Sequence, residues 1–123
     1  MSDFSKRVHV GCIAVLGNKI LSIGFNTERT HPLQKKYNAY RDMNCDKFII
    51  HKLHAEVACL YPLIDSDINW GKISLYIYRI RNDSPHGNAR PCPACMQMIK
   101  EFGIKHIYFT TDDGYSYECL NLA

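Results

Sequence analysis

The sequence predicts an α/β fold: a three-layer-type sandwich on a mixed five-stranded sheet, with residues 1–123 forming a single domain. Three observations carry this. Strand-like and helix-like segments follow one another in the order strand, strand, helix, strand, helix, strand, strand. The last two strands are joined by about four or five residues, which permits only an antiparallel hairpin, because a parallel pair needs a crossover of a dozen or more. And 123 residues of ordinary composition, 46% hydrophobic and 22% charged, suffice for one core but not for two.

The elements follow in order. Val8–Val15 alternates and then runs apolar, and Lys19–Gly24 is a second apolar run. Leu16-Gly17-Asn18 between them makes the pair a hairpin. Residues 25–52 show little periodicity, with a short helix expected over Gln34–Arg41; an irregular stretch of this length is usually functional or partly helical. His54–Ile64 is rich in helix formers, but Pro62 lacks an amide donor and clashes with the preceding turn, so the helix should stop or kink near Leu60 or Tyr61. Asp65–Gly71 is a polar connector, with Trp70 packing at a strand entrance. Lys72–Ile80 is β-branched and aromatic, a strand. Arg81–Arg90 is dense in turn residues. Cys92–Phe102 reads as a helix, with Pro93 in its first turn and Gly103 as its C-terminal cap. Lys105–Thr110 is a strand, Asp112-Asp113-Gly114 a turn, and Tyr115–Leu120 the last strand.

Composition excludes several classes. No run of 18 apolar residues exists, so no membrane span is expected. Residues 1–7 carry charges but no apolar core before a cleavage site, so no secretory signal is expected and the location is expected to be cytoplasmic. In that setting the six cysteines read as metal ligands and core residues rather than disulfides. Cys12 and Cys59 lie in apolar runs and suit a core; Cys45 and Cys119 have no evident role. A net charge of +3 is too mild to mark a nucleic-acid binder by itself.

The chemistry is concentrated in two short stretches, His54-Ala55-Glu56 and Pro91-Cys92-Pro93-Ala94-Cys95. A catalytic zinc takes three protein ligands and keeps one position for water. His54, Cys92 and Cys95 supply one imidazole and two thiolates. Cys92 and Cys95 are three apart, so a helix places them on one face, and a helix N-terminus favours their thiolate form. His54 and Glu56 are two apart and would diverge inside a helix, where each residue turns about 100°. They converge on one ion only if the helix starts at His54. Zinc lowers the pKa of bound water toward neutrality, and Glu56 is then the general acid and base. The rival reading is a structural Cys2His2 zinc site completed by His51 or Cys45; it leaves Glu56 and Pro91 without a purpose.

The combined pattern H-x-E … P-C-x-x-C, with its halves about 35 residues apart, is a signature of zinc-dependent nucleobase deaminases. From Val8 to Tyr117 the chain resembles the cytidine deaminase-like superfamily, the CMP/dCMP-type deaminases. The resemblance implies one zinc per chain on His54, Cys92 and Cys95, with Glu56 as proton shuttle. Gly24-Phe25-Asn26 resembles the segment that ends the second strand in many members, which implies that Asn26 contacts a bound nucleoside and that the Ala55 amide contacts the pyrimidine ring. The N-terminal helix usual in the family is absent or reduced to Ser2–Lys6, and the chain stops soon after the fifth strand. Oligomers are common in the family, so the resemblance also implies self-association. An antiparallel last strand resembles the free-nucleoside branch, whereas H-A-E with P-C-P-x-C resembles the deoxycytidylate, tRNA and polynucleotide branches.

The substrate expected first is a free cytosine nucleoside or nucleotide. Single-stranded DNA or RNA would suit the mixture of basic and aromatic residues in segment 28–52, such as Arg29, Lys35, Tyr37 and Arg41, although Glu28, Asp42 and Asp46 dilute its charge. Purine or pterin-like amidines share the chemistry, and a zinc-stabilised module without turnover is a further reading. The loop before the cysteine pair must border the pocket, which makes His86, Asn88 and Arg90 candidate substrate contacts.

Overall fold

In the computed structural model the described residues are 9–27, 32, 33, 36, 53–80 and 88–120. The expected helix at Gln34–Arg41, apart from Lys36, falls outside them, as do His51, Cys45 and His86 and most of segment 28–52. Strand β1 (His9–Leu16) pairs antiparallel with β2 (Lys19–Phe25) through a two-residue turn in which Gly17 takes φ +61°, a conformation open to glycine. On its other side β1 pairs antiparallel with β3 (Ile73–Ile80). β3 pairs parallel with β4 (His106–Thr111), and β4 turns through Asp112-Asp113 into antiparallel β5 (Gly114–Cys119). The order is β2-β1-β3-β4-β5: a mixed five-stranded sheet closed by the antiparallel hairpin that its short connection demands.

Helix α1 (Ala55–Leu60) connects β2 to β3 and passes directly into a 3-10 turn, Tyr61–Leu63, at Pro62. Helix α2 (Pro93–Phe102) makes the crossover between parallel strands β3 and β4. It ends at Gly103, whose φ of +94° lets the Gly103 amide return to the Ile99 and Lys100 carbonyls. A second 3-10 turn, Trp70–Lys72, leads into β3, and Trp70 packs its ring 5.2 Å from that of Phe102.

Strand alternation divides the sheet. Cys12 and Ala14 of β1, Leu75 and Ile77 of β3, and Ile107 and Phe109 of β4 point toward the helices and form one core with Val57, Cys59, Leu60, Met98 and Ile99. Helices α1 and α2 both occupy this face. The opposite face carries a row in register across all five strands, Ile23–Ile13–Tyr76–Tyr108–Tyr117. Tyr76 stacks on Tyr108 at 4.8 Å between centroids, and Tyr76 and Tyr117 are 41% and 44% exposed. Cys12 and Cys59 are fully buried, as their apolar runs imply, with the Cys59 thiol directed at the Ser22 carbonyl. Among the described residues no helix is long and apolar enough to cross a membrane.

Candidate metal centre and substrate pocket

Helix α1 begins at Ala55, and His54 is its N-cap, held extended at φ −82°, ψ 157°. The H-x-E spacing requires this. The His54 side chain leaves from extended backbone while Glu56 leaves from the first turn, so the two need not diverge as they would within a helix. Gly24 makes the position of α1 possible. A Cβ there would overlap the Cys59 amide nitrogen and lie 2.7 Å from the Ala55 carbonyl oxygen, so only glycine lets the helix lie this close to β2.

Helix α2 is built alike. Cys92 is its N-cap at φ −66°, ψ 166°, Pro93 opens the helix, and Cys95 lies one turn in. The two helix starts meet. His54 Nδ1 is 3.3 Å from Cys95 Sγ and 3.5 Å from Cys92 Sγ, and the three ligand atoms all lie within 4.8 Å of one another. Zinc at ordinary Zn–N and Zn–S bond lengths in tetrahedral geometry holds nitrogen and sulfur about 3.5 Å apart, so the donor set fits the ion in type and in spacing. The fourth ligands of the structural-zinc reading, His51 and Cys45, lie outside the described residues.

Electrostatics in the cluster follow from proximity. The Cys95 thiol stabilises the Cys92 thiolate by hydrogen bonding, and His54 adds to the effect, bringing Cys92 down to about 4. The same interaction, together with burial, pushes Cys95 well above the usual thiol range. One proton is thus shared between the two sulfurs until a metal displaces it. Glu56 is 5% exposed. Burial raises its pKa to about 7, against the pull of its own backbone amide and of His54. A carboxyl held near neutrality beside a metal position can both take and give a proton.

The cluster forms one wall of a cavity of about 340 Å3, within the range of small-ligand pockets, which is also bordered by Val10, Asn26, Arg79, Asn88 and Arg90. Asn26 is clamped to the start of β1: its amide donates to the Val10 carbonyl (3.2 Å), and its Oδ1 accepts from the Val10 amide (3.0 Å). Asn88 Oδ1 accepts from the Arg90 amide, a turn-building bond, while the Asn88 carbonyl accepts from Arg79. The Arg90 guanidinium is engaged bidentately by Glu118 of β5 at 2.6 and 3.2 Å. Of the expected site residues, the structure thus brings Asn26, His54, Ala55, Glu56, Asn88, Arg90 and Cys92 to one cavity, with Cys95 behind Cys92.

Arg79 was not among the residues expected at the site. The signal was available in the alternation of Lys72–Ile80, which puts Arg79 on the same face as Ile73, Leu75 and Ile77 and therefore toward the helices.

A β-α-β crossover that delivers two cysteines beside a histidine and a buried glutamate, at one end of the strands of a mixed sheet, defines a zinc-binding α/β protein of the deaminase type. The model of the cytidine and deoxycytidylate deaminase zinc-binding region matches residues 2–111, and the chain belongs to that family. Comparison with curated protein sequences gives no match. Among solved structures the chain is similar to a cytidine deaminase from Burkholderia pseudomallei (18% identity over 96% of this chain and 79% of that one, TM-score 0.58). It is also similar to a dCMP deaminase from the cyanophage S-TIM5 in apo form (24% identity over 81% of this chain, TM-score 0.50), of whose length it spans 64%. At these identities the likeness is one of fold.

Proposed function

We propose that the chain is a zinc-dependent hydrolytic deaminase that converts the cytosine of a free pyrimidine nucleoside or nucleotide to uracil and releases ammonia. The observation that carries this is the buried Glu56 carboxyl, held near neutrality beside a centre to which the described residues bring three ligands, His54, Cys92 and Cys95. A structural zinc site has no use for such a group. The similar cyanophage S-TIM5 enzyme, solved with dCMP and dUMP, is consistent with a pyrimidine substrate.

When bound, zinc supplies a water acidic enough to act as nucleophile at neutral pH. The chain's own residues do the rest. Glu56 accepts the proton of the attacking water, passes it to the ring nitrogen next to the amino-bearing carbon, and delivers a proton to the departing amine. Ala55, in the first helical turn, offers its amide to the ring. Asn26, fixed by its two bonds to Val10, borders the region of the sugar.

Ammonia release is the test. Cytidine, deoxycytidine, their monophosphates and a cytosine-containing oligonucleotide are offered to the zinc-loaded protein. At least one monomeric cytosine compound should be turned over, and Glu56→Gln should keep its zinc while losing about 10²- to 10⁴-fold in rate, the usual worth of a general acid–base. A Glu56→Gln protein with undiminished rate overturns the mechanism. Turnover of the oligonucleotide alone overturns the substrate class.

A further inference from the structure

Arg79 occupies the pocket wall, and among the described residues it has no carboxylate partner. Its backbone amide donates to Thr110 Oγ1 (3.0 Å), and one terminal nitrogen donates to the Asn88 carbonyl (3.2 Å). Its Nε is buried and has no hydrogen-bond partner. Buried polar groups are nearly always satisfied, so an unmet N–H on a guanidinium in a pocket wall calls for a partner, and the planar charged donors suit an anion. Arg90, the other arginine on the cavity, is already neutralised by Glu118. Among the described residues Arg79 makes no ion pair, which leaves it as the uncompensated cation of the pocket.

Its position fits a particular part of a substrate. Val10 is the register partner of Arg79 and is bonded twice to Asn26. Asn26 just beyond β2, Val10 of β1 and Arg79 of β3 therefore lie abreast at one end of these strands, with the outer two about 10 Å apart. A base engaged at Glu56 with its sugar toward Asn26 directs the far substituent of that sugar along this end.

We infer that Arg79 is the specificity-determining residue of the pocket: its guanidinium recognises the phosphate of a nucleoside monophosphate and sets the preference for that substrate over the free nucleoside. This rests on the deaminase reading for the identity of the base, but the phosphate contact stands on the pocket alone. Planar N–H donors of a guanidinium match phosphate oxygens bidentately, which a lysine cannot reproduce.

The experiment measures kcat and KM for deoxycytidine and for its monophosphate with the zinc-loaded wild type, Arg79→Lys, Arg79→Gln and Arg90→Gln. Equilibrium binding of the same two compounds to each of these, in a Glu56→Gln background, gives a readout independent of turnover. Wild type should prefer the monophosphate, with Arg79→Gln reducing that preference about 10- to 100-fold through KM rather than kcat. Arg79→Lys should restore only part of it, and Arg90→Gln should reduce it less than Arg79→Gln does. Equal losses for nucleoside and monophosphate in Arg79→Gln would mean that the residue only holds the Asn88 loop, and would overturn the inference. So would collapse of the preference in Arg90→Gln instead. Absence of ammonia release with the binding preference intact would sink the deaminase reading and leave this inference standing; binding without preference would sink this inference alone.

Discussion

Replacing Gly24 with alanine tests whether the contact between β2 and α1 sets the catalytic geometry. A Cβ at this position would overlap the Cys59 amide nitrogen and stand 2.7 Å from both the Ala55 carbonyl oxygen and the Ala58 carbonyl carbon, where ordinary contact begins near 3.4 Å. These are backbone atoms of the helix, so no rotamer change relieves the clash, and α1 must lift from the sheet by about 1 Å. Overpacking against unyielding neighbours costs up to about 3 kcal/mol. The lower chain entropy of unfolded alanine offsets up to about 1 kcal/mol of that, for a net loss of about 2 kcal/mol. With an unfolding entropy of about 0.26 kcal/mol/K for a chain of this length, Tm falls by about 8 °C. The same shift carries Ala55 and Glu56 away from the cysteine pair, and a displacement of about 1 Å at reacting groups costs on the order of 10²-fold in rate. Thermal unfolding and ammonia release measure the two effects. Gly11→Ala is the control, because there the three atoms nearest a Cβ all belong to the ring end of Tyr78 on the opposite face, which a side-chain rotation can clear. If Gly24→Ala matches wild type in Tm within 2 °C and in rate within threefold, the close approach does not position the site and the reasoning fails.

Two further predictions concern the centre. Cys95→Ala should lower bound zinc from about one per chain to near zero after dialysis, measured by elemental analysis, because it leaves only two of the three ligands. A retained equivalent of zinc would place the metal elsewhere. The second concerns the pH dependence of the metal-free protein. The folded pKa of Glu56 is raised from 4.5 to about 7, so its contribution to stability is fully present below pH 4.5 and is lost as the pH rises through about 7. The Cys92 thiol works in the opposite sense, its folded pKa being lowered from 9.0 to about 4. Comparison of wild type with Glu56→Gln isolates the first effect: the variant should gain on wild type between pH 4.5 and 7 by up to about 3 kcal/mol, followed by urea unfolding at each pH. A pH-independent difference would contradict the burial of Glu56 as an ionisable carboxyl.

Much of the fold was legible because its signals are local. Alternation marked the strands, Gly17-Asn18 and Asp112-Asp113 the tight turns, Pro62 the end of α1, and Gly103 the end of α2, and each acts through its own φ restriction or missing donor. The three residues placed to hold the metal were legible through type and spacing alone, and the same two stretches bring Glu56 to the cavity beside them. What escaped depends on neighbours distant in sequence. Arg79 reads as one more strand residue until its face is known. The pairing of Arg90 with Glu118 exists only once β5 lies alongside. The side-chain oxygen of Asn88 closes its own turn, a bond that spacing does not reveal, while the residue borders the cavity as expected. His86 lies outside the described residues. Gly24 could be recognised as part of a motif, but its reason, the helix backbone lying against it, exists only in three dimensions.

The two N-caps have one more consequence. Neither His54 nor Cys92 makes a side-chain capping bond to its own helix, where serine, threonine, aspartate or asparagine would ordinarily stand. Each helix has given up its local starting signal, and the residue in that place serves a point in space shared with the other helix. The beginning of α1 is therefore specified across 38 residues by the beginning of α2. The zinc position is the punctuation mark that both segments read, which ties the phase of two otherwise independent helices to a single atom.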